Sequence, residues 1–223
     1  MRNISRVITI SSAACLIACA GEFVTIFVFG ARYPGYSQLK NTMSSLGASA
    51  SPVSAEISLW WIIMGVLFII FGTGLRLAFS AKGWYARSAS WLVILYGIGE
   101  GIGSGAFKAD HILNAPTTSA FIHNVLGGIG VTAILIFPLV IRKVITRNET
   151  PFFQTFSWVI FVTGFLTIIA FLFRFSSGQD NFLSLYKGLW QRLFMLNTYI
   201  YLSVIAILML KKRQHFHRMN FIG

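Results

Sequence analysis

Six apolar blocks divide the chain, at about 7–30, 57–79, 88–107, 118–141, 152–173 and 189–210, with short polar segments between them. Each is near the roughly 20 residues that carry an α-helix through the hydrocarbon core of a bilayer. A backbone in lipid must satisfy its own hydrogen bonds, which a helix does. The pattern predicts an all-α fold: a polytopic bundle of six transmembrane helices, one integral membrane domain over 1–223. Ser51-Pro52 and Thr150-Pro151 read as an N-cap followed by proline at the first helical position, opening blocks two and five. In block three Gly97, Gly101 and Gly105 recur at a spacing of four. They predict a smooth ridge that lets a neighbouring helix approach closely. No strand precedes them, so they are not a dinucleotide fingerprint.

The longer polar segments carry patterns of their own. Tyr33-Pro34-Gly35-Tyr36 is a turn signal. Over 37–46, Leu39, Met43 and Leu46 share one helical face, which predicts a short amphipathic helix lying on the membrane and stopping at Gly47. Phe182, Leu185, Tyr186 and Leu189 form an i, i+3, i+4, i+7 stripe, predicting a second surface helix that leads into the last block. Tyr33, Tyr36, Trp60, Trp61, Trp84 and Trp190 are expected to be interfacial anchors.

Composition agrees with a membrane domain: 56% of residues are hydrophobic and 11% charged, against ~25% charged in soluble domains. The net charge of +12 invites a nucleic-acid reading, but the placement of the charge excludes it. Twelve of the eighteen Lys and Arg residues fall in the N-terminus, the segments between blocks two and three and between four and five, and the C-terminal tail. All four lie on one face of a six-span bundle. The expected location is therefore the plasma membrane (the inner membrane of a bacterium), multipass, with both termini cytoplasmic. Membrane lipids are the natural partners of such loops, and nucleic acid is not. Arg2 and Arg6 precede an apolar run that continues to Gly30, too long for the core of a signal peptide, so an uncleaved first span is expected. Cys15 and Cys19 sit four apart in one apolar block and imply no disulfide framework.

Candidate chemistry gathers around the segment 107–123 and the outer ends of the blocks. At 1.5 Å rise per residue, Glu22 lies ~12 Å, Glu100 ~10 Å, His123 ~8 Å and Asn197 ~12 Å inside the outer boundary. Ionisable groups at such depth are costly in lipid and face the bundle interior. They predict an outward-facing polar pocket of Glu22, Glu100, His123, Asn197 and Arg192, closed above by the two amphipathic loops. Tyr33 and Ser44 on the first loop complete the ligand-binding set. The ligand would be a lipid headgroup or small amphiphile, bound for transport or sensing, with no cofactor. Arg192 would pair with a phosphate or with Glu22. A rival reading is an intramembrane lipid hydrolase, with His123 as general base, Glu100 as acid or water orienter and Asp110 orienting His123. In a structural reading, Glu22–Arg192 or Glu100–His123 are ion pairs that fix packing, and the glycine ridge docks a membrane-protein partner or a second copy. Asp110, His111 and His123 match no standard metal-ligand spacing, so no metal is expected. His215 and His217 belong to a solvated tail.

Tyr33-Pro34-Gly35-Tyr36, Asn41-Thr42-Met43-Ser44-Ser45-Leu46-Gly47, Asp110, His123 and Gly188-Leu189-Trp190-Gln191-Arg192 together resemble the six-span bacterial membrane family known as domain of unknown function 998. The resemblance covers most of the chain. It departs at Lys108, where the family usually has proline, and at Gln191, where it often has glutamate. It implies no activity, but it adds weight to the outer-face residues as a set.

Overall fold

The structure is a computed structural model that describes residues 2–112, 115–175 and 181–219. The chain is helical almost throughout. Helices α1 (Arg2–Ala31) and α2 (Ser54–Ala78) come first. Helix α3 (Gly83–Tyr96) runs on through a π-helical segment (Gly97–Gly103) into a last turn, α4 (Ser104–Ala106). Then come α5 (Thr118–Val144), α6 (Pro151–Leu172), the single turn α7 (Phe182–Leu185) and α8 (Lys187–Met219). Two-residue strands, β1 (His111–Ile112) and β2 (Ala115–Pro116), pair antiparallel ahead of α5, with His111 opposite Pro116.

Five helices are long and apolar enough to cross a membrane, and they cover blocks one, two, four, five and six. Block three is helical from 83 to 106 but is interrupted by the π-helical segment. Its sequence, Gly-Ile-Gly-Glu-Gly-Ile-Gly, explains the interruption. Each glycine costs a helix about 1 kcal/mol relative to alanine, and the return is close approach on two sides. A Cβ on Gly97 would stand 2.6 Å from the Gly65 carbonyl oxygen, and one on Gly105 2.6 Å from that of Ser58, both on α2. A Cβ on Gly99 would stand 2.9 Å from the Gly130 nitrogen on α5. The ridge of Gly97, Gly101 and Gly105 therefore lies against α2, and a second ridge of Gly99 and Gly103 lies against α5. Both faces are taken up inside the bundle.

The long elements form a closed ring. Following the chain, α1 packs on α2, α2 on α3, α3 on α5, α5 on α6 and α6 on α8, and α8 returns to α1. Toward the basic loops the ring is filled by Phe68, Phe71, Phe137, Phe153 and Tyr201, all fully buried. Tyr201 stacks on Phe153 with centroids 5.5 Å apart, and its hydroxyl meets Ser157 Oγ at 2.6 Å. Helix α6 is the outermost member: 17% of its most apolar window is buried, against 50% for α2 and α8.

The polar segments differ from expectation. The predicted amphipathic helix over 37–46 shrinks to one 3-10 turn, Met43–Leu46. The polar side chains before it bond to other elements, so this segment is tied down rather than afloat on the membrane. Helix α2 starts at Ser54, with 51–53 in a turn before it, whereas α6 does begin with Pro151 at its first position. The second surface helix is only the turn α7, capped by the Asn181 side chain accepting from the Ser184 amide at 2.8 Å. Residues 176–180 of that loop, and the side chains of His215 and His217, lie outside the described residues.

Candidate binding cavity

A cavity of about 230 Å³ occupies the ring on the side of the 32–53 and 107–117 segments. Its polar lining comes from Glu22 on α1, Glu100 in the π-helical segment, His123 and Asn124 on α5, Arg174 just past α6, Gln191 on α8 and Ser44 above. The floor is aromatic. The Tyr96 and Tyr199 hydroxyls meet at 3.2 Å, and the Tyr199 hydroxyl also donates to Met64 Sδ at 3.3 Å.

Glu22 is buried and held by two neighbouring indoles. Trp60 Nε1 donates to Oε2 at 2.6 Å and Trp61 Nε1 to Oε1 at 3.1 Å. Gly21 makes this possible, because a Cβ there would collide with the Trp60 ring. Trp60 and Trp61 are thus internal ligands of a carboxylate, not interfacial anchors. The expected Glu22–Arg192 ion pair does not form.

Glu100 has no hydrogen-bond partner among the described residues and forms no ion pair with His123 or Arg174 there. Its Oε1 stands where the side chain of a residue larger than Gly127 would begin, 3.3 Å from an ideal Cβ. His123 Nδ1 donates to the Phe107 carbonyl at 2.9 Å. The ring's other nitrogen, Nε2, then carries the lone pair. Arg174 lies over the Phe171 and Phe175 rings at 3.8 and 4.4 Å, and its buried Nε has no partner among the described residues.

The other sequence candidates lie elsewhere. Arg192 is outside the cavity lining. Its Nη2 donates to the Tyr36 hydroxyl (2.5 Å), its Nε to Gln38 Oε1 (2.8 Å), and its Nη1 to the carbonyls of Asn41 (3.0 Å) and Gly188 (2.9 Å). Gln191 Oε1 accepts from the Met43 amide at 2.7 Å, which brings Met43 and Ser44 over the cavity. Tyr33 stacks on Tyr36, with centroids 5.8 Å apart, and does not line the cavity. Asn197 bridges α8 to α6, donating to the Ile160 carbonyl (2.9 Å) and accepting from Thr163 (2.7 Å).

Asp110 does not reach His123. Its carboxylate accepts from the Ser49 hydroxyl (2.5 Å) and amide (2.8 Å), and these bonds hold it below the usual aspartate range. Lys108 Nζ donates to Ser58 Oγ (2.5 Å) and Ser54 Oγ (3.0 Å), anchoring the end of α4 to α2.

The 32–53 segment and the start of α8 together form a lid over the cavity, and the sequence motifs converge on it. Leu46 is fully buried, and Gly47 lies against the Trp61 ring, where a Cβ would come 3.0 Å from an indole carbon. Gly188 passes so close to the first loop that a Cβ would stand 2.8 Å from the Gln38 carbonyl oxygen. A family model described as "Protein of unknown function (DUF998)" matches residues 14–208. The chain belongs to the DUF998 family. No curated protein and no solved structure matches it. The part matched to DUF998 holds the whole cavity lining and both halves of the lid. Sequence reasoning on this DUF998 chain missed the indole grip on Glu22 and the bridging role of Gln191. Two adjacent tryptophans at the depth of a lone intramembrane acid were the available signal.

Proposed function

We propose that this multipass membrane protein binds the polar group of a lipid or small amphiphile in the cavity, for sensing or transport. The observation that carries the reading is the Glu100 carboxyl, set among apolar helices, open to a cavity and without a hydrogen-bond partner among the described residues. An intramembrane ionisable group normally has a partner, and a ligand would supply it. His123 Nε2 and Ser44 add neutral hydrogen-bonding groups. In this reading the basic loops and both termini face the cytoplasm, the lid faces outward, and block three is the sixth crossing that this parity requires.

The test is native mass spectrometry of protein extracted with its lipids. A defined adduct on wild type, lost in Glu100→Ala and reduced in His123→Ala, is the expected result. Identical adduct patterns in all three would sink the proposal.

The hydrolase reading has one observation in its favour, since the Phe107 carbonyl leaves Nε2 of His123 as a potential base. Asp110 cannot orient that ring, because it is bonded to Ser49. Product release from the bound lipid in wild type, absent in His123→Ala with binding retained, would support this reading over simple binding.

A further inference from the structure

The cavity lining is not evenly covered. Its exposed members are Asn124 and Gly128 on α5, Leu172 on α6 and Phe175 just beyond, so the opening lies along one seam. The α5–α6 contact is also the sparsest in the ring. Two adjacent glycines thin the α5 wall at that point. A Cβ on Gly127 would meet only the Glu100 carboxyl, and one on Gly128 would meet nothing within 4 Å. Gly128 lies about 15 Å along α5 at 1.5 Å per residue. A bilayer's hydrocarbon core is roughly 30 Å thick. The seam therefore runs from just beyond the end of α6, at Phe175, down to acyl-chain depth at Gly128, a path by which a molecule already dissolved in the membrane can enter.

The size of the cavity limits how much can enter. Sites that enclose a drug-sized ligand measure about 300–1,000 Å³, and this one measures about 230 Å³. A headgroup fits, and its tails stay in the seam. Opposite charges are ordered along that path. Arg174 lies beside the exposed mouth residue Phe175, its Nε without a partner among the described residues, and Glu100 lies further in behind Gly127. Glu22, deeper still, already has both oxygens bonded to indoles.

We propose that the cavity takes its occupant sideways from the bilayer through the α5–α6 seam, and that the occupant is a zwitterionic phospholipid headgroup, its phosphate on Arg174 and its terminal ammonium on Glu100. This rests on the reading of the cavity as a headgroup site. In a phospholipid the phosphate is nearer the tails and the ammonium is at the tip. That is the order in which the mouth presents a guanidinium and the interior a carboxylate. A guanidinium reads phosphate through paired N–H donors, and a desolvated carboxylate selects a cation.

The experiment measures retention of three probes by the full chain in native mass spectrometry: phosphatidylethanolamine, phosphatidylglycerol, and tail-free glycerophosphoethanolamine. Wild type should retain phosphatidylethanolamine at least about tenfold better than phosphatidylglycerol, the scale of one charge-assisted bond. Glu100→Gln should erase that preference, and Arg174→Gln should weaken both lipids. Gly128→Phe puts a ring into open space at the mouth and should exclude phosphatidylethanolamine with no loss of thermal stability. Equal retention of the two lipids by wild type overturns the ammonium assignment. Glycerophosphoethanolamine held as tightly as the lipid overturns access from the bilayer, as does undiminished lipid binding by Gly128→Phe. An adduct of some other lipid that depends on Glu100 sinks the zwitterion and leaves the headgroup site standing. No Glu100-dependent adduct of any lipid sinks both.

Discussion

Four hydrogen bonds leave the Arg192 guanidinium, and all of them end on the lid or on the turn that meets it. Arg192→Ala would strand the Gln38, Asn41 and Gly188 oxygens in a buried site. Stranded groups cost roughly 1–3 kcal/mol each before water reaches them, so a loss of about 2–4 kcal/mol is expected, with faster proteolysis of the 32–53 segment. Chemical denaturation in detergent and limited digestion check this. Asp110 makes a second tether, with a pH signature. Its folded value is depressed by the Ser49 bonds. The tether is therefore at full strength above the ordinary aspartate range, near about pH 4. It is lost as pH falls through the lower folded value. Amide protection over 47–53, taken relative to the intrinsic exchange rate at each pH, should be high at pH 7 and should fall at low pH and in Asp110→Asn. Helical rise is fixed, so the sequence could estimate depth, and three of the groups it placed in the outer half, Glu22, Glu100 and His123, line one cavity. The sequence did not give azimuth. Glu22, Glu100 and His123 turn into the cavity, whereas Arg192, nearer the outer boundary, turns to the lid and Asn197 to α6.

Among the elements, the third helix behaves least like an ordinary span. The spacing of Gly97, Gly101 and Gly105 made a close helix contact readable, since four-residue recurrence marks one face, but not that the neighbour is α2. The π-helical turn was not readable. Alternating glycines permit both windings, and the choice falls to packing between two other helices. Gly101→Ala should lose about 1–3 kcal/mol by overpacking, because its Cβ would come 2.7 Å from the Gly65 nitrogen. Gly128→Ala meets open space and should gain about 0.5–1 kcal/mol from helix propensity alone. Thermal unfolding of the two variants, measured side by side, separates contact from propensity. The lid was misread for the converse reason. Its apolar period matched a surface helix, but Gln38, Asn41 and Tyr36 find better partners on α1 and α8 than a helix would leave them.

For the molecule as a whole, the apolar blocks and the all-α class were legible because a bilayer leaves few other solutions for such a chain. The cavity was not. It exists only because α8 closes the ring on α1 while small and polar residues leave one end unfilled, and no single segment encodes that. The proposed orientation follows from the charge bias and can be read directly. Lys40 and Arg147 are both exposed, on opposite ends of the bundle. In a background lacking Cys15 and Cys19, a membrane-impermeant thiol reagent should label Lys40→Cys in intact cells, and Arg147→Cys only after permeabilisation. The reverse pattern would invert the topology.

The indole pair on Glu22 makes the protein its own spectroscopic probe. Trp61 lines the cavity and shares a carboxylate with Trp60, so any charge that arrives there alters the field on both chromophores. Intrinsic fluorescence should shift on occupancy, and the shift should vanish in Trp60→Phe/Trp61→Phe while Trp84, exposed on the far side of the bundle, still emits. An occupant could thus be followed in real time, in native membranes, with no label attached.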